Sequence, residues 1–315
     1  MLFFTTLLRI FARVMSYQQL WNRLAKVYGE GEAKAIARMV YEVRYGLSLS
    51  DLLMGRDASV PSDELEHIAQ RLEHHEPVQY ILGETDFCGR TFQVNSHVLI
   101  PRPETEDLCR WILSSLNGQL SMVNGQLSIV NCQWSMVNGQ WSILNCLDIG
   151  TGSGCIAVTL AAELPGAQVT ACDISEEALK VARENAHRHH VQLSFAQVDI
   201  LSIAPSLWRG LGEAFTLIVS NPPYICHCEA AAMDANVLDH EPHTALFVPD
   251  DDPLLFYRAI ATFGQQMLQP DGWLYFEINP IYANELRELL HIMSYHDIEI
   301  KEDQFGKQRF IRAQR

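Results

Sequence analysis

Positive charge is scarce in this chain: 23 Lys and Arg stand against 38 Asp and Glu across 315 residues, a formal net charge of −15. A protein that holds nucleic acid non-specifically carries a basic face, so this balance argues against that class. Long apolar runs are also missing. The Leu/Phe-rich start, residues 1–15, contains Arg9 and Arg13 and falls short of the roughly 20 residues that span a bilayer. It lacks the small-residue cleavage site of a secretory signal. Met15-Ser16 followed by an amphipathic helix is a more natural beginning, so residues 1–15 are read as an upstream extension; the competing idea is a weak membrane-surface helix. The eight cysteines have no framework spacing, which indicates a reducing, cytoplasmic compartment. Cys226-His227-Cys228 has no second pair at zinc spacing, so no metal site is expected.

Charge is absent altogether between Arg110 and Asp148. That interval holds near-copies of Asn-Gly-Gln-Leu-Ser-Met-Val beginning at Asn117, Asn124, Asn131 and Asn138. The period is seven, but Asn-Gly recurs where a helix should continue and no charges flank the apolar positions, so a coiled coil is excluded. Asn-Gly between short alternating segments signals hairpin turns. The interval 117–140 is therefore read as a tandem duplication in a surface loop, disordered or a ragged β-ribbon.

What is present falls into two patterns. Ser16 caps a helix with Leu20, Trp21, Leu24, Val27 and Tyr28 at helical spacing. A second helix covers about 32–45 with Gly46 as its stop. Ser50 or Asp51 starts a third, and Ser62 caps a fourth. Residues 16–75 thus form a helical bundle, either a packing appendage or a docking module for a macromolecular substrate. Residues 85–98 alternate as a hairpin turning at Cys88-Gly89-Arg90, within a linker over 76–106. Beyond the repeats, β and α segments alternate: strands at 143–149, 169–172, 193–198, 215–220 and 273–278, helices at 156–164, 176–189, 254–268 and 283–293. Pro270-Asp271-Gly272 stops the helix before it, and 298–302 with 309–313 form a closing hairpin. Alternating units give a doubly wound, mostly parallel α/β sheet, with an antiparallel edge from the hairpin.

Two stretches carry chemistry. In Asp148-Ile149-Gly150-Thr151-Gly152-Ser153-Gly154-Cys155, a strand meets a glycine-rich turn and a helix start. It is neither a P-loop nor the G-x-G-x-x-G dinucleotide fingerprint, since Cys155 stands where the last glycine would be. Close backbone approach remains, to a ligand without a pyrophosphate. Asp173 ends the next strand, placed for a ribose diol, and Asp199 ends the third, placed near an adenine. Acids at three successive strand ends suit a cofactor with an ammonium, a diol and an exocyclic amine, all of which S-adenosylmethionine has. The bland alternative is an ordinary βα turn with solvated carboxylates.

The other stretch is Phe215-Thr216-Leu217-Ile218-Val219-Ser220-Asn221-Pro222-Pro223-Tyr224. A buried strand stops at two prolines that cannot join a sheet ladder and that hold Asn221 extended. The Asn221 oxygen and a loop carbonyl can take both N–H bonds of a planar NH₂, a carboxamide or the exocyclic amine of a base. Read alone, the stretch is equally a Pro-Pro turn with Asn221 as a local cap.

Together, Asp148 to Gly154, Asp173 and Asn221-Pro222-Pro223-Tyr224 resemble a class I S-adenosylmethionine-dependent N-methyltransferase. Gln79-Tyr80-Ile81-Leu82-Gly83, Ile100 to Glu106 and Glu241-Pro242-His243-Thr244-Ala245-Leu246 are similar to the HemK/PrmC-type release factor glutamine methyltransferases, as is the helical bundle placed first. The resemblance covers residue 16 to the end, apart from the repeats. It implies a Rossmann-like seven-stranded domain over 107–315 and a substrate-docking role for 16–75. It also implies methyl transfer to the glutamine of the Gly-Gly-Gln motif in class 1 peptide-chain release factors. Asn221, Pro222 and Tyr224 would be catalytic, with Pro223 beside them at the substrate. Asp148, Gly150, Thr151, Gly152, Ser153, Gly154, Asp173, Asp199, Ile200 and Asn221 would hold the cofactor. A monomer that binds neither nucleic acid nor membrane is expected. The same Asn-Pro-Pro-Tyr motif serves adenine-N6 methyltransferases, and a non-catalytic S-adenosylmethionine-binding module is the other rival. Two departures stand out. Asn279-Pro280 follows Glu277-Ile278 where the family often has Gly and a nearby Gln, and Ile200 stands where an aromatic often follows the third-strand Asp. His240 and Glu241 are assigned structural roles.

Overall fold

The computed structural model describes residues 15–117, 120–123, 126–129, 144–202 and 214–315. Residues 1–14 and most of the repeats, including the expected strand start at 143, lie outside the described residues. By its internal contacts the chain divides into two units, residues 1–84 with 234–240, and residues 85–233 with 241–315. The segment 85–106, expected as a linker, falls in the second unit.

The first unit contains α1 (Tyr17–Tyr28), α2 (Glu30–Tyr45), α3 (Leu49–Leu53), α4 (Ser62–Glu73) and α5 (Val78–Leu82). Ser16 caps α1 through a reciprocal pairing with Gln19, and Gly46 closes α2 in the left-handed conformation that glycine tolerates. The third helix begins earlier than the sequence suggests. Ser48 is its cap, because its hydroxyl accepts the Asp51 N–H while the Asp51 carboxylate returns to the Ser48 N–H. Pro61 rather than Ser62 precedes α4. Leu20, Leu24, Ile36, Val40, Leu65 and Leu72 form the apolar core. Over it, Arg23 forks onto Glu73 and Glu66.

The second unit opens with the hairpin β1 (Glu84–Phe87) and β2 (Arg90–Gln93), then α6 (Pro103–Asn117). Within the repeats, β3 (Leu120–Val123) and β4 (Gln126–Ile129) pair antiparallel, Val123 opposite Gln126, as a ribbon, one of the two expected forms. There follow β5 (Asn145–Ile149), α7 (Cys155–Glu163), β6 (Gln168–Asp173), α8 (Glu176–Arg188), β7 (Ser194–Gln197), β8 (Phe215–Ser220) and β9 (Ile225–Cys226). After α9 (Ala235–His240), which belongs to the first unit, come β10 (Phe247–Val248), α10 (Leu255–Met267), β11 (Leu268–Glu277), α11 (Ala283–Ile292), β12 (His296–Glu302) and β13 (Gln308–Gln314).

Seven strands make one sheet in the order β12-β13-β11-β8-β5-β6-β7. Five are parallel, and the final hairpin adds β13 antiparallel to β11 and β12. Within β8, Leu217 and Val219 face one layer, joining Ile112, Ile156 and Leu160 from α6 and α7, and Ile218 between them faces the other, joining Tyr257, Ile260 and Leu286 from α10 and α11. A further expectation needs correction. Pro270-Asp271-Gly272 does not separate helix from strand, because β11 starts at Leu268 and carries these residues as a bulge. A proline fits where the ladder is interrupted, Asp271 takes a positive φ of 64°, and the carbonyls of Asp271 and Gly272 are taken by Gln314 and the Arg315 N–H.

The chain's direction across the sheet reverses at β5 and β8, and ligands bind at such a switch point, outside the strands' carboxyl ends. Register places Ile149 opposite Ser220, and the Ser220 hydroxyl donates to the Ile149 carbonyl at 2.6 Å. Gly150 and Asn221 therefore leave the sheet side by side.

Candidate active site

The turn after β5 is folded back on its neighbour. The N–H groups of Gly150 and Thr151 both donate to the Cys172 carbonyl, at 2.9 and 3.0 Å, and the Gly154 N–H donates to the Thr151 carbonyl at 2.8 Å. Three positive φ values, 72°, 53° and 80°, explain glycine at 150, 152 and 154. Their surroundings differ. A Cβ on Gly150 or Gly152 would meet open space, whereas one on Gly154 would lie 3.0 Å from the Ala182 Cβ on α8. The first two glycines line a cradle, and the third lets α7 and α8 approach.

Asp148 lies fully buried beneath the loop. One oxygen, Oδ2, accepts from the Thr151 hydroxyl at 2.6 Å and from the Ala157 N–H at 3.2 Å. The other, Oδ1, is buried without a partner. Burial pushes its pKa up to about 7, against the pull of those two donors. Asp173 is half-buried; it accepts the Gly152 N–H at 2.9 Å and the Ser175 N–H at 3.0 Å, and burial raises its pKa. Its carbonyl accepts the Val198 N–H at 2.8 Å, which brings the next strand end alongside. Asp199 accepts from the Leu201 N–H and the Ser202 hydroxyl, and Ile200 packs on the core shared with α10. Ser153 is buried, its carbonyl held by the Asn185 amide. These residues fit S-adenosylmethionine: an open glycine cradle, a half-exposed acid at the second strand end, and a buried oxygen with acceptor capacity to spare.

Asn221 stands at the neighbouring strand end. Its Nδ2 donates to the Thr105 hydroxyl at 3.2 Å; that hydroxyl donates to Glu277 Oε2 at 2.7 Å; and the Tyr224 hydroxyl donates to Glu277 Oε1 at 3.1 Å. Pro222 is buried and Pro223 half-buried behind it. Asn279 donates to the Tyr224 carbonyl at 3.1 Å and to Glu229, while its own oxygen caps the Ile281 N–H. The departure Asn279-Pro280 is thus a brace for the Asn-Pro-Pro-Tyr loop. Thr105, Glu277 and Asn279 are residues that sequence reasoning did not place at the site, although all three lie in segments it had singled out. Glu241 is buried, pairs with Arg102 and accepts the Ile100 N–H at 3.2 Å, a structural role. The His240 ring meets the His74 carbonyl at 3.0 Å within the first unit.

The chain is similar to known proteins. Residues 17–83 match the model of the PrmC N-terminal domain, and residues 139–240 that of the methyltransferase small domain. A release factor glutamine methyltransferase of Bacteroides thetaiotaomicron is 41% identical over 296 residues, covering 93% of this chain and 96% of that protein. One of Streptococcus pneumoniae is 36% identical over 288 residues, covering 90% and 92%. Among solved structures, the human Mettl16 catalytic domain superposes with a TM-score of 0.50 at 14% identity, covering 90% of this chain and 81% of that one, a likeness of fold alone.

Proposed function

This chain belongs to the release factor glutamine methyltransferases, and from that premise we propose how its residues act. The reaction moves a methyl group from S-adenosylmethionine to the side-chain amide nitrogen of the glutamine in the Gly-Gly-Gln motif of class 1 peptide-chain release factors. The observation that carries the reading is Asn221 leaving the sheet beside the glycine loop at the switch point.

S-adenosylmethionine, when bound, supplies a methyl group on a positively charged sulfur. The glycines at 150 and 152 give it room, and Asp173 takes hydroxyl donors. Thr151, Ser153 and Asp148 keep the loop in shape, and Asp199 and Ile200 line the far end. The glutamine amide is a poor nucleophile because its lone pair is delocalised. The Asn221 oxygen and the Pro222 carbonyl accept its two N–H bonds, so the nitrogen lone pair is turned toward the methyl group. Both hydrogen bonds strengthen as positive charge grows on nitrogen, so they favour the transition state over the ground state. The nitrogen gains the methyl and sheds one proton, already acidic, to solvent. Tyr224 walls the substrate with its ring, which favours a nearby cation.

The helical unit docks the release factor. Leu53 and Met54 expose apolar side chains there, as a partner-binding surface does. A photo-crosslinker at Leu53 should capture release factor; labelling no stronger than at random surface sites would remove this role. We place the protein in the cytoplasm as a monomer that does not bind nucleic acid; the charge of −15 supports the last of these. Among the described residues, no helix is long and apolar enough to cross a membrane.

The test is incubation with labelled S-adenosylmethionine and purified release factor, followed by mass spectrometry of the Gly-Gly-Gln peptide. Label on that glutamine is expected; label on adenine in nucleic acid instead would favour the rival reading.

A further inference from the structure

We propose that Thr105 and Glu277 form a polar relay that fixes which way round the Asn221 amide sits, so that its oxygen and not its NH₂ is offered to the substrate. The proposal rests on Asn221 being the acceptor for the glutamine amide. An asparagine side chain is nearly symmetric in shape, and only its hydrogen-bond partners decide where oxygen and nitrogen point. A flipped Asn221 would present two donors to a substrate that itself offers donors, and transfer would fail.

The direction of the relay follows from counting protons. Glu277 is only 2% exposed, and both its oxygens are used: Oε2 takes the Thr105 hydroxyl at 2.7 Å and Oε1 the Tyr224 hydroxyl at 3.1 Å. Burial raises the Glu277 pKa, while the two hydroxyl donors and the charge of Arg309 pull it back toward the carboxylate, which can only accept. Thr105 has one hydroxyl proton, and it is spent on Glu277. What Thr105 shows to Asn221 is therefore a lone pair, which only an N–H can meet, and Nδ2 lies there at 3.2 Å. In the flipped amide two acceptor oxygens would face each other at that distance. Thr105 is 3% exposed, leaving little access for a bulk water to relieve the clash.

The anchor is rigid. The Glu277 carbonyl accepts the Tyr257 hydroxyl at 3.1 Å, and the next residue, Ile278, donates its N–H to the Arg309 carbonyl at 2.8 Å. Thr105 sits in the first turn of α6, 172 residues away in sequence. Neither side chain is required to touch the glutamine, so both are positioning residues. The second branch, through Tyr224, holds the ring that walls the substrate.

The experiment is steady-state methylation of release factor by the full-length protein, with S-adenosylmethionine affinity measured in parallel. Thr105→Val keeps the shape and removes the hydroxyl. Its kcat should fall by about fivefold or more, the lower end of what an unpaired polar group costs. KM for release factor and Kd for S-adenosylmethionine should stay within about twofold, because uniform binding is untouched. Thr105→Ser, which restores the hydroxyl, should recover kcat to within about threefold of wild type. Thr105→Ala removes the same hydroxyl with less bulk and carries the test if the valine variant does not fold. In an Asn221→Ala background, Thr105→Val should slow transfer no further, because the two residues act as one unit. The relay is overturned if the variant lacking the hydroxyl keeps wild-type kcat, or if it slows Asn221→Ala by the same factor as wild type. Either result leaves the role of Asn221 standing so long as Asn221→Ala itself loses transfer. Near-wild-type transfer by Asn221→Ala would instead overturn the reading of the site.

Discussion

The carboxylate of Asp173 accepts the Gly152 N–H at 2.9 Å, so the acid proposed to face the cofactor also braces the loop proposed to cradle it. Asp173→Ala removes both services. Its affinity for S-adenosylmethionine should drop by at least about 1–3 kcal/mol, the cost of unpairing a buried polar group. The melting temperature should move little, since the residue is only half-buried. Calorimetry showing unchanged affinity would take Asp173 out of the site.

The glycines of the loop should separate by function. Gly154→Ala places a methyl 3.0 Å from the Ala182 Cβ and 3.1 Å from its Cα, at a φ of 80°. It should destabilise the fold by about 2 kcal/mol or more, from strain and overpacking together. Gly152→Ala meets no protein atom, so only backbone strain of about 1–2 kcal/mol is expected, but the methyl enters the cradle. Denaturant melts and cofactor titrations on the pair decide the matter: equal losses of affinity and of stability in both variants would contradict the division.

Much of this site was legible in the chain because its signals are local. Gly150, Gly152 and Gly154 report their own backbone requirements, and Pro222-Pro223 report the end of β8. Strand-end acids follow from a βα alternation that hydrophobic periodicity reveals. Thr105 and Glu277 were not legible as partners, because nothing within either segment specifies a neighbour 172 residues away. Asp148 was readable as a strand-end acid facing a ligand. Its inward turn depends on the Thr151 hydroxyl and the Ala157 N–H, contacts that exist only once α7 has packed. The bulge at Pro270-Asp271-Gly272 was hidden for a similar reason: its carbonyls find their partners at the carboxyl terminus of the chain.

Arg102 and Glu241 join two of the family's segments. The Glu241 side chain is 1% exposed and burial raises its pKa, against the charge of Arg102 and the Ile100 N–H. Arg102→Met strands that carboxylate. Stability should fall, by less than the about 3–5 kcal/mol of a fully buried pair because Arg102 is partly exposed to solvent. Adding Glu241→Gln should return part of the loss, because the double variant no longer buries a charge. A single variant that melts like wild type would show the pair to be dispensable.

Asp148 predicts a pH dependence of stability whose sign is unusual for a carboxylate. Burial is the largest influence on it, and Asp173 adds repulsion, while Thr151 and Ala157 pull the other way; the result is a rise from 3.8 to about 7. Between those two values the folded protein keeps a proton that the unfolded chain has lost. Folding therefore takes up a proton, and this group's contribution falls as pH rises through the window, by up to about 1.4 kcal/mol per pH unit. Above pH ~7 both states are ionised, the penalty is constant, and the slope ends. Asp148→Asn cannot titrate. The stability of the variant relative to cofactor-free wild type should thus grow from pH 5 to 7 and then level off; a flat difference would mean that Asp148 is ionised throughout. The unpartnered Oδ1 extends the argument to the cofactor. If bound S-adenosylmethionine supplies a donor to that oxygen, it favours the carboxylate, and binding near pH 6 should release a proton. Calorimetric titration in buffers of different ionisation enthalpy measures that release directly. Wild type should show it, Asp148→Asn should not, and equal proton release in both would assign the linkage to another group.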